Sequence, residues 1–131
     1  KSEDDISNLN WSDKNIIIAE DEQSNFILLK HILKPTGIRV ERAISGNEVL
    51  GLLERGDISF DLILMDIKMP EMDGLETIRM IREKKYDIRA IAQTAYAMTD
   101  DRQKCLNAGF DEYITKPIRP NELLKLMVRF L

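Results

Sequence analysis

From residue 14 onward, short unbroken apolar runs alternate with longer stretches in which apolar side chains recur every three or four positions. The first kind fits a strand covered on both faces and the second an amphipathic helix, so the alternation predicts repeated βα units and a parallel sheet. Five units can be counted, with strands over 16–19, 38–43, 62–65, 88–93 and 111–114. Helices are predicted over 24–34, after the cap Ser45 through Leu53, from Leu75 through Ile81, over 100–107 and over 121–131. Leu62, Ile63, Leu64 and Met65 form a wholly apolar run that belongs at the centre of the sheet, whereas Ile38 and Val40 alternate with Arg39, Glu41 and Arg42, which suits an edge. Ser45 and Glu48 have capping-box spacing, Pro35 and Gly37 stop the first helix, and Gly109 stops the fourth.

Composition narrows the class. The 131 residues are 44% hydrophobic and 32% charged, which suits one domain with one core and no need of disulfides. Residues 1–13 are polar and acidic and read as a linker tacked down by Trp11, ahead of a domain over 14–131. A chain that opens on Lys1 is expected to be a piece of something longer. Cys105 is the single cysteine, so no intrachain bridge forms, and a reducing, cytoplasmic setting is expected even for a membrane-anchored parent. The net charge of -4 offers no basic surplus for nucleic acid, and no apolar run is long enough for a membrane span.

Parallel strands present their C-terminal ends along one edge of the sheet, where ligands of open α/β folds bind. The residues just past the apolar runs are Glu20 and Asp21, then Asp66, then Thr94, then Thr115, Lys116 and Pro117. Three carboxylates gathered there repel, by about 4 kcal/mol per pair at ~4 Å and an effective dielectric near 20. With Lys116 the formal sum is -2, which one Mg²⁺ would cancel; alternatively Lys116 neutralises one carboxylate while another takes a proton. A carboxylate nucleophile, a hydroxyl, an ammonium and a metal together make a phosphoryl-transfer set, with Asp66 as the candidate nucleophile.

These residues and their flanks resemble the receiver domain of two-component response regulators: the run from Ile16 to Glu22, the run from Leu64 to Gly74, Thr94-Ala95-Tyr96-Ala97, and the run from Gly109 to Pro117. The resemblance implies a doubly wound, CheY-like α/β fold with strand order 2-1-3-4-5. It implies that Asp66 accepts a phosphoryl group from a phosphohistidine, and that Glu20, Asp21, Asp66 and the Ile67 carbonyl hold Mg²⁺. Thr94 and Lys116 would bind the phosphoryl group, Tyr113 would follow Thr94 as a switch, and the Lys116-Pro117 bond would be cis. Partners implied are a histidine kinase or a histidine phosphotransfer domain, with a homodimer or output contact through the fourth helix, fifth strand and fifth helix. The linker, Ser24-Asn25 and the segment from Thr94 to Met98 are most similar to receivers fused to hybrid sensor histidine kinases. Glu20 stands where an aspartate is commoner, so a longer arm reaches the metal.

Other readings stay beside this one. A dehalogenase-type aspartyl phosphatase would carry a second Asp two residues after the nucleophile, where this chain has Lys68. A flavodoxin-like carrier would not place Glu20 and Asp21 against a phosphate. A docking module without chemistry fits the same spacing. Lys68 and Tyr96 flank the path of water to Asp66 and are expected to tune the lifetime of its phosphate. His31 has no metal-binding partner and reads as a solvated helix residue. Met69 and Met72 are candidates for contact with a partner, as are the apolar residues on two sides of the last helix: Leu123, Met127 and Phe130 on one, Leu124, Val128 and Leu131 on the other.

Overall fold

The computed structural model describes residues 6, 8–95 and 99–131, with Thr99 and Asp100 described by their backbone alone. Five parallel strands, β1 (Asn15–Ala19), β2 (Arg39–Ala43), β3 (Leu62–Asp66), β4 (Arg89–Thr94) and β5 (Glu112–Thr115), form one sheet in the order β2-β1-β3-β4-β5. The helices are α1 (Gln23–Leu33), α2 (Gly46–Arg55), α3 (Gly74–Glu83), α4 (Thr99–Ala108) and α5 (Pro120–Val128). The doubly wound α/β fold and its strand order are those expected. β3 is buried at every position, as its apolar run requires, and β2 lies at the edge with Arg39 exposed.

Alternation along the strands divides the core between the two faces of the sheet. Ile17, Ile63, Met65 and Ala92 face a cluster completed by Val49, Ile78 and Ile81 of α2 and α3. Ile16, Ile18, Leu64 and Ile91 face a second cluster with Leu29 and Leu33 of α1 and Leu123 and Met127 of α5. Trp11 is 7% exposed in that second cluster, and its backbone N–H donates to the Thr36 carbonyl at 2.7 Å, so the chain is held to the fold at Trp11, just before β1.

Several boundaries differ from the sequence reading. Pro35 does not end α1 directly: a 3-10 turn over Lys34–Thr36 carries it, and Gly37 at φ 78° closes the turn. β5 starts one residue late because the Asp111 carboxylate ties the corner before it, accepting from the Ala90 N–H at 2.8 Å. The capping box is offset: Ser45 Oγ accepts from Glu48 N–H at 3.2 Å, but Glu48 Oε1 returns to the N–H of Ile44, one residue before the cap. α5 gives way after Val128, and both apolar sets expected on the last helix pack against the second core cluster, with Leu123 and Met127 fully buried. Met69 is also buried in the core, which removes it as a contact for partners, while Met72 is partly buried against the same cluster. His31 is exposed on α1.

Candidate functional site

The C-terminal edge of the sheet is a cleft of about 400 Å³ lined by Asp21, Asp66, Ile67, Lys68, Thr94 and Lys116, with Lys104 and Cys105 of α4 on its far wall. Three strands are carried one residue further into the cleft by an extra rung of backbone hydrogen bonding beyond their ends. Glu20 N–H bonds the Ala43 carbonyl at 2.9 Å, Ile67 N–H bonds Gln93 O at 3.0 Å, and Lys116 N–H bonds Thr94 O at 2.8 Å. Asp66 therefore stands as the last residue of the central strand, and Lys116 is held one strand beyond Thr94. The Lys116-Pro117 bond is cis.

Gly74 lets α3 close on this corner. A Cβ there would lie 2.7 Å from the Asp66 carbonyl oxygen and 2.8 Å from Ile67 Cα, so no larger residue fits without displacing the loop that carries Asp66. Its N–H donates to the Ile67 carbonyl at 2.7 Å. That carbonyl, expected as a metal ligand, is thus already engaged by the start of α3 and has one lone pair left for an ion.

Asp66 is 6% exposed and Glu20 is fully buried, whereas Asp21 is exposed. One carboxylate oxygen from each lies within 4.8 Å of the other two. Lys116 Nζ is 2.8 Å from Asp66 Oδ2 and 3.6 Å from Glu20 Oε1, and the other Asp66 oxygen accepts from Lys68 N–H at 3.1 Å. Burial raises the Glu20 pKa, and the Asp66 charge adds to the rise against the opposing hydrogen bond from Asn25 and the charge of Lys116. Burial works against the charged form of Lys116, yet the hydrogen bond and charge of Asp66, with Glu20 behind them, raise its pKa. Burial, with Asp101 nearby, pushes the Cys105 thiol up to about 11, so it is a packing residue and no nucleophile.

The structure brings Glu20, Asp21, Asp66, Thr94 and Lys116 together as the sequence indicated, and places Lys68 at the mouth of the cleft. Tyr113 stands on β5 in register with Ala92, partly buried against the first core cluster. Tyr96 lies outside the described residues. Missed at the sequence level were the contacts of Asn25 and Gln93 at the site: Asn25 Nδ2 donates to Glu20 Oε1, and also to Gln93 Oε1 at 3.2 Å. A polar Gln at the end of the otherwise apolar run Ala90, Ile91, Ala92 was the available signal.

The donor set fits Mg²⁺. Hard carboxylate oxygens are its preferred ligands, the open side at exposed Asp21 leaves room for water, and a divalent charge would cancel the -2 that remains after Lys116. Without an ion, the crowding is relieved only by Lys116 and by a proton on one carboxylate, for which buried Glu20 with its raised pKa is the candidate.

The comparisons agree with this geometry. The chain matches the model of the response regulator receiver domain over residues 16–128. It is 41% identical over 117 residues to an uncharacterised 14.6 kDa protein of Leptolyngbya boryana, covering 88% of each chain. It is 34% identical to hybrid signal transduction histidine kinase L of Dictyostelium discoideum, covering 88% of this chain but 7% of that protein, so it spans a small part of such kinases. The receiver domain of sensor histidine kinase PA1611 from Pseudomonas aeruginosa, solved with a magnesium ion coordinated in the active site cleft, superimposes with a TM-score of 0.80 at 33% identity over 89% of this chain and 96% of that one. No described helix is long and apolar enough to cross a membrane. With this acidic corner on this sheet and a match along nearly the whole fold, the chain belongs to the CheY-like response regulator receiver family, in which Mg²⁺-dependent transfer places a phosphoryl group on an aspartate during two-component signalling.

Proposed function

We propose that Asp66 is the phosphoacceptor of a phosphorelay receiver, with Lys116 and Thr94 as its catalytic partners and Glu20, Asp21 and Asp66 as the principal Mg²⁺ ligands. The observation that carries this is the Lys116 ammonium 2.8 Å from a carboxylate that shares its corner with two others. One Asp66 oxygen forms a P–O bond as the P–N bond of a donor phosphohistidine breaks, and the imidazole leaves with the bonding pair and takes a proton from solvent. Lys116 then meets the charge on the phosphoryl oxygens, and the Thr94 hydroxyl donates to one of them. Bound Mg²⁺ supplies further positive charge to those oxygens. The Ile67 carbonyl, which also accepts from the Gly74 N–H, would be a further ligand beside the carboxylates.

Thr94 moving toward the phosphoryl group opens space that Tyr113, on the neighbouring strand, follows, and this alters the surface of α4, β5 and α5. That surface is the proposed contact for an output domain or a second copy. The donor is a histidine kinase or a histidine phosphotransfer domain, in the cytoplasm. Residues 1–13 are read as a linker ahead of the domain over 14–131, and the likeness to kinases such as histidine kinase L favours the receiver of a hybrid histidine kinase.

Incubation with acetyl phosphate and Mg²⁺ is expected to add one phosphoryl group, detected by intact mass, and Asp66→Asn to remain unmodified. Full labelling of Asp66→Asn refutes the assignment. A wild-type chain that takes up nothing supports a docking module instead.

A further inference from the structure

Glu20 is a fully buried carboxylate at the edge of a cleft, and its orientation is set by a neighbour from a different element. Glu22 N–H holds Oε2 at 3.2 Å, while Oε1 receives the side-chain amide of Asn25, near the start of α1. A carboxylate accepts and cannot donate, so Asn25 must present its nitrogen to Glu20. The same nitrogen donates to Gln93 Oε1 at 3.2 Å, so both of its hydrogens are used, and Gln93 must turn its oxygen toward Asn25. The orientation of Glu20 thereby fixes two amides in series. At the far end, Gln93 Nε2 is a buried donor with no partner among the described residues. An apolar residue would avoid that cost, as Ala90, Ile91 and Ala92 do along the same strand, so the amide is there for the end it presents to Asn25.

We propose that Asn25 and Gln93 are positioning residues for the metal-binding carboxylate of Glu20, and that their amide chain ties it to the end of β4 that carries Thr94. The proposal rests on the receiver reading above and deepens it. Glu20 has one more methylene than aspartate, and without Asn25 that longer arm could swing away from Asp21 and Asp66. Gln93 precedes Thr94 on β4, so the amide chain joins Glu20 to the strand that carries the candidate hydroxyl.

The test is a titration with Mg²⁺ alone by isothermal calorimetry. Asn25→Leu is expected to weaken binding about tenfold, the low end of the range for groups that orient metal ligands, and Gln93→Met, one amide further from the ion, about threefold. In a Glu20→Asp background the shorter carboxylate no longer reaches Asn25, so adding Asn25→Leu should change affinity less than about twofold. Wild-type affinity in Asn25→Leu, or an equal loss in both backgrounds, overturns the positioning role. In the wild-type protein, the Asn25 and Gln93 side-chain amide signals should both shift as Mg²⁺ is added; amides that stay still while the Asp66 backbone signal moves overturn it without any variant. A wild-type chain that binds no Mg²⁺ and takes up no phosphoryl group removes the receiver reading and this proposal together. One that does both, with Asn25→Leu unaffected, removes this proposal alone.

Discussion

The two ends of the sheet use the same residue types to opposite effect. At the N-terminal end, Asp61 accepts from the Asn15 N–H at 2.8 Å, and Asp111 accepts from the Ala90 N–H at 2.8 Å while Arg82 and Arg89 lie 3.3 and 3.1 Å away. Asp111 thus has two guanidinium groups to itself. At the C-terminal end, Glu20, Asp21 and Asp66 share Lys116, which is 2.8 Å from Asp66 and 3.6 Å from Glu20. The first end has its carboxylates matched and serves the fold. The second is short of positive charge and is completed by what binds there, so buried acidity marks a site by its deficit of partners and not by its presence.

That contrast predicts changes of opposite sign. Asp111→Ala takes the carboxylate from Arg89 and the Ala90 N–H and leaves Arg82 with the Gly109 and Tyr86 carbonyls alone, and should cost about 2 kcal/mol in urea unfolding, discounted because Arg89 is largely exposed. Asp66→Asn removes one of three crowded charges while Glu20 still faces Lys116, and should raise stability by about 1 kcal/mol at neutral pH. Equal signs for the two variants would erase the distinction between the ends. Mg²⁺ should act unequally on them: at about 100 times its dissociation constant it adds ~2.7 kcal/mol to any chain that binds it when folded and not when unfolded, which raises the wild type and Asp111→Ala alike and Asp66→Asn less. Chelation should return the wild type to its lower value, and the advantage of Asp66→Asn should shrink or vanish in the metal.

A smaller effect separates the ends by pH. Burial raises the Glu20 pKa above its ordinary value of 4.5, so the folded chain binds that proton more tightly than the unfolded one. Stability from this group is highest below the ordinary glutamate range and falls as pH climbs from there through the raised value. Lys116 acts in the same direction much higher: its pKa is raised above 10.5, so its contribution is complete below that value and is lost as pH rises through the folded one. Urea midpoints measured without metal should therefore decline as pH rises from 4.5 upward in the wild type, and Glu20→Gln should flatten that decline. A parallel decline in both proteins would assign it to other groups.

The sequence showed the strand ends well because burial on both faces forces unbroken apolar runs, and a parallel sheet then aligns the residues that follow them. Asp66 and Lys116 were legible for that reason although 50 residues separate them. Boundaries were less legible where side chains override the pattern, as when Asp111 ties the corner before β5 or Pro35 continues α1 as a 3-10 turn. Asn25 and Gln93 were visible as residues yet silent as a pair, since nothing in local spacing says that an amide on α1 will meet one on β4. Contacts between elements that neither periodicity nor capping specifies need the fold itself.

The subtlest test concerns the open side of the acidic corner. Lys68 is exposed at the mouth of the cleft, and its backbone N–H, not its side chain, donates to Asp66 at 3.1 Å. Substituting the side chain therefore changes access to Asp66 while keeping that hydrogen bond. A cleft of about 400 Å³ is wide enough for a phosphoryl group and attacking water together, so bulk at the mouth limits how often water lies in line with the P–O bond. Lys68→Ala should quicken decay of the acyl phosphate about threefold, followed as loss of the added mass after acetyl phosphate is removed. Lys68→Met keeps the length and drops the charge. If its decay matches the wild type, shielding is steric; if it matches Lys68→Ala, the ammonium is what holds water off; and an unchanged rate in both variants removes Lys68 from control of the lifetime.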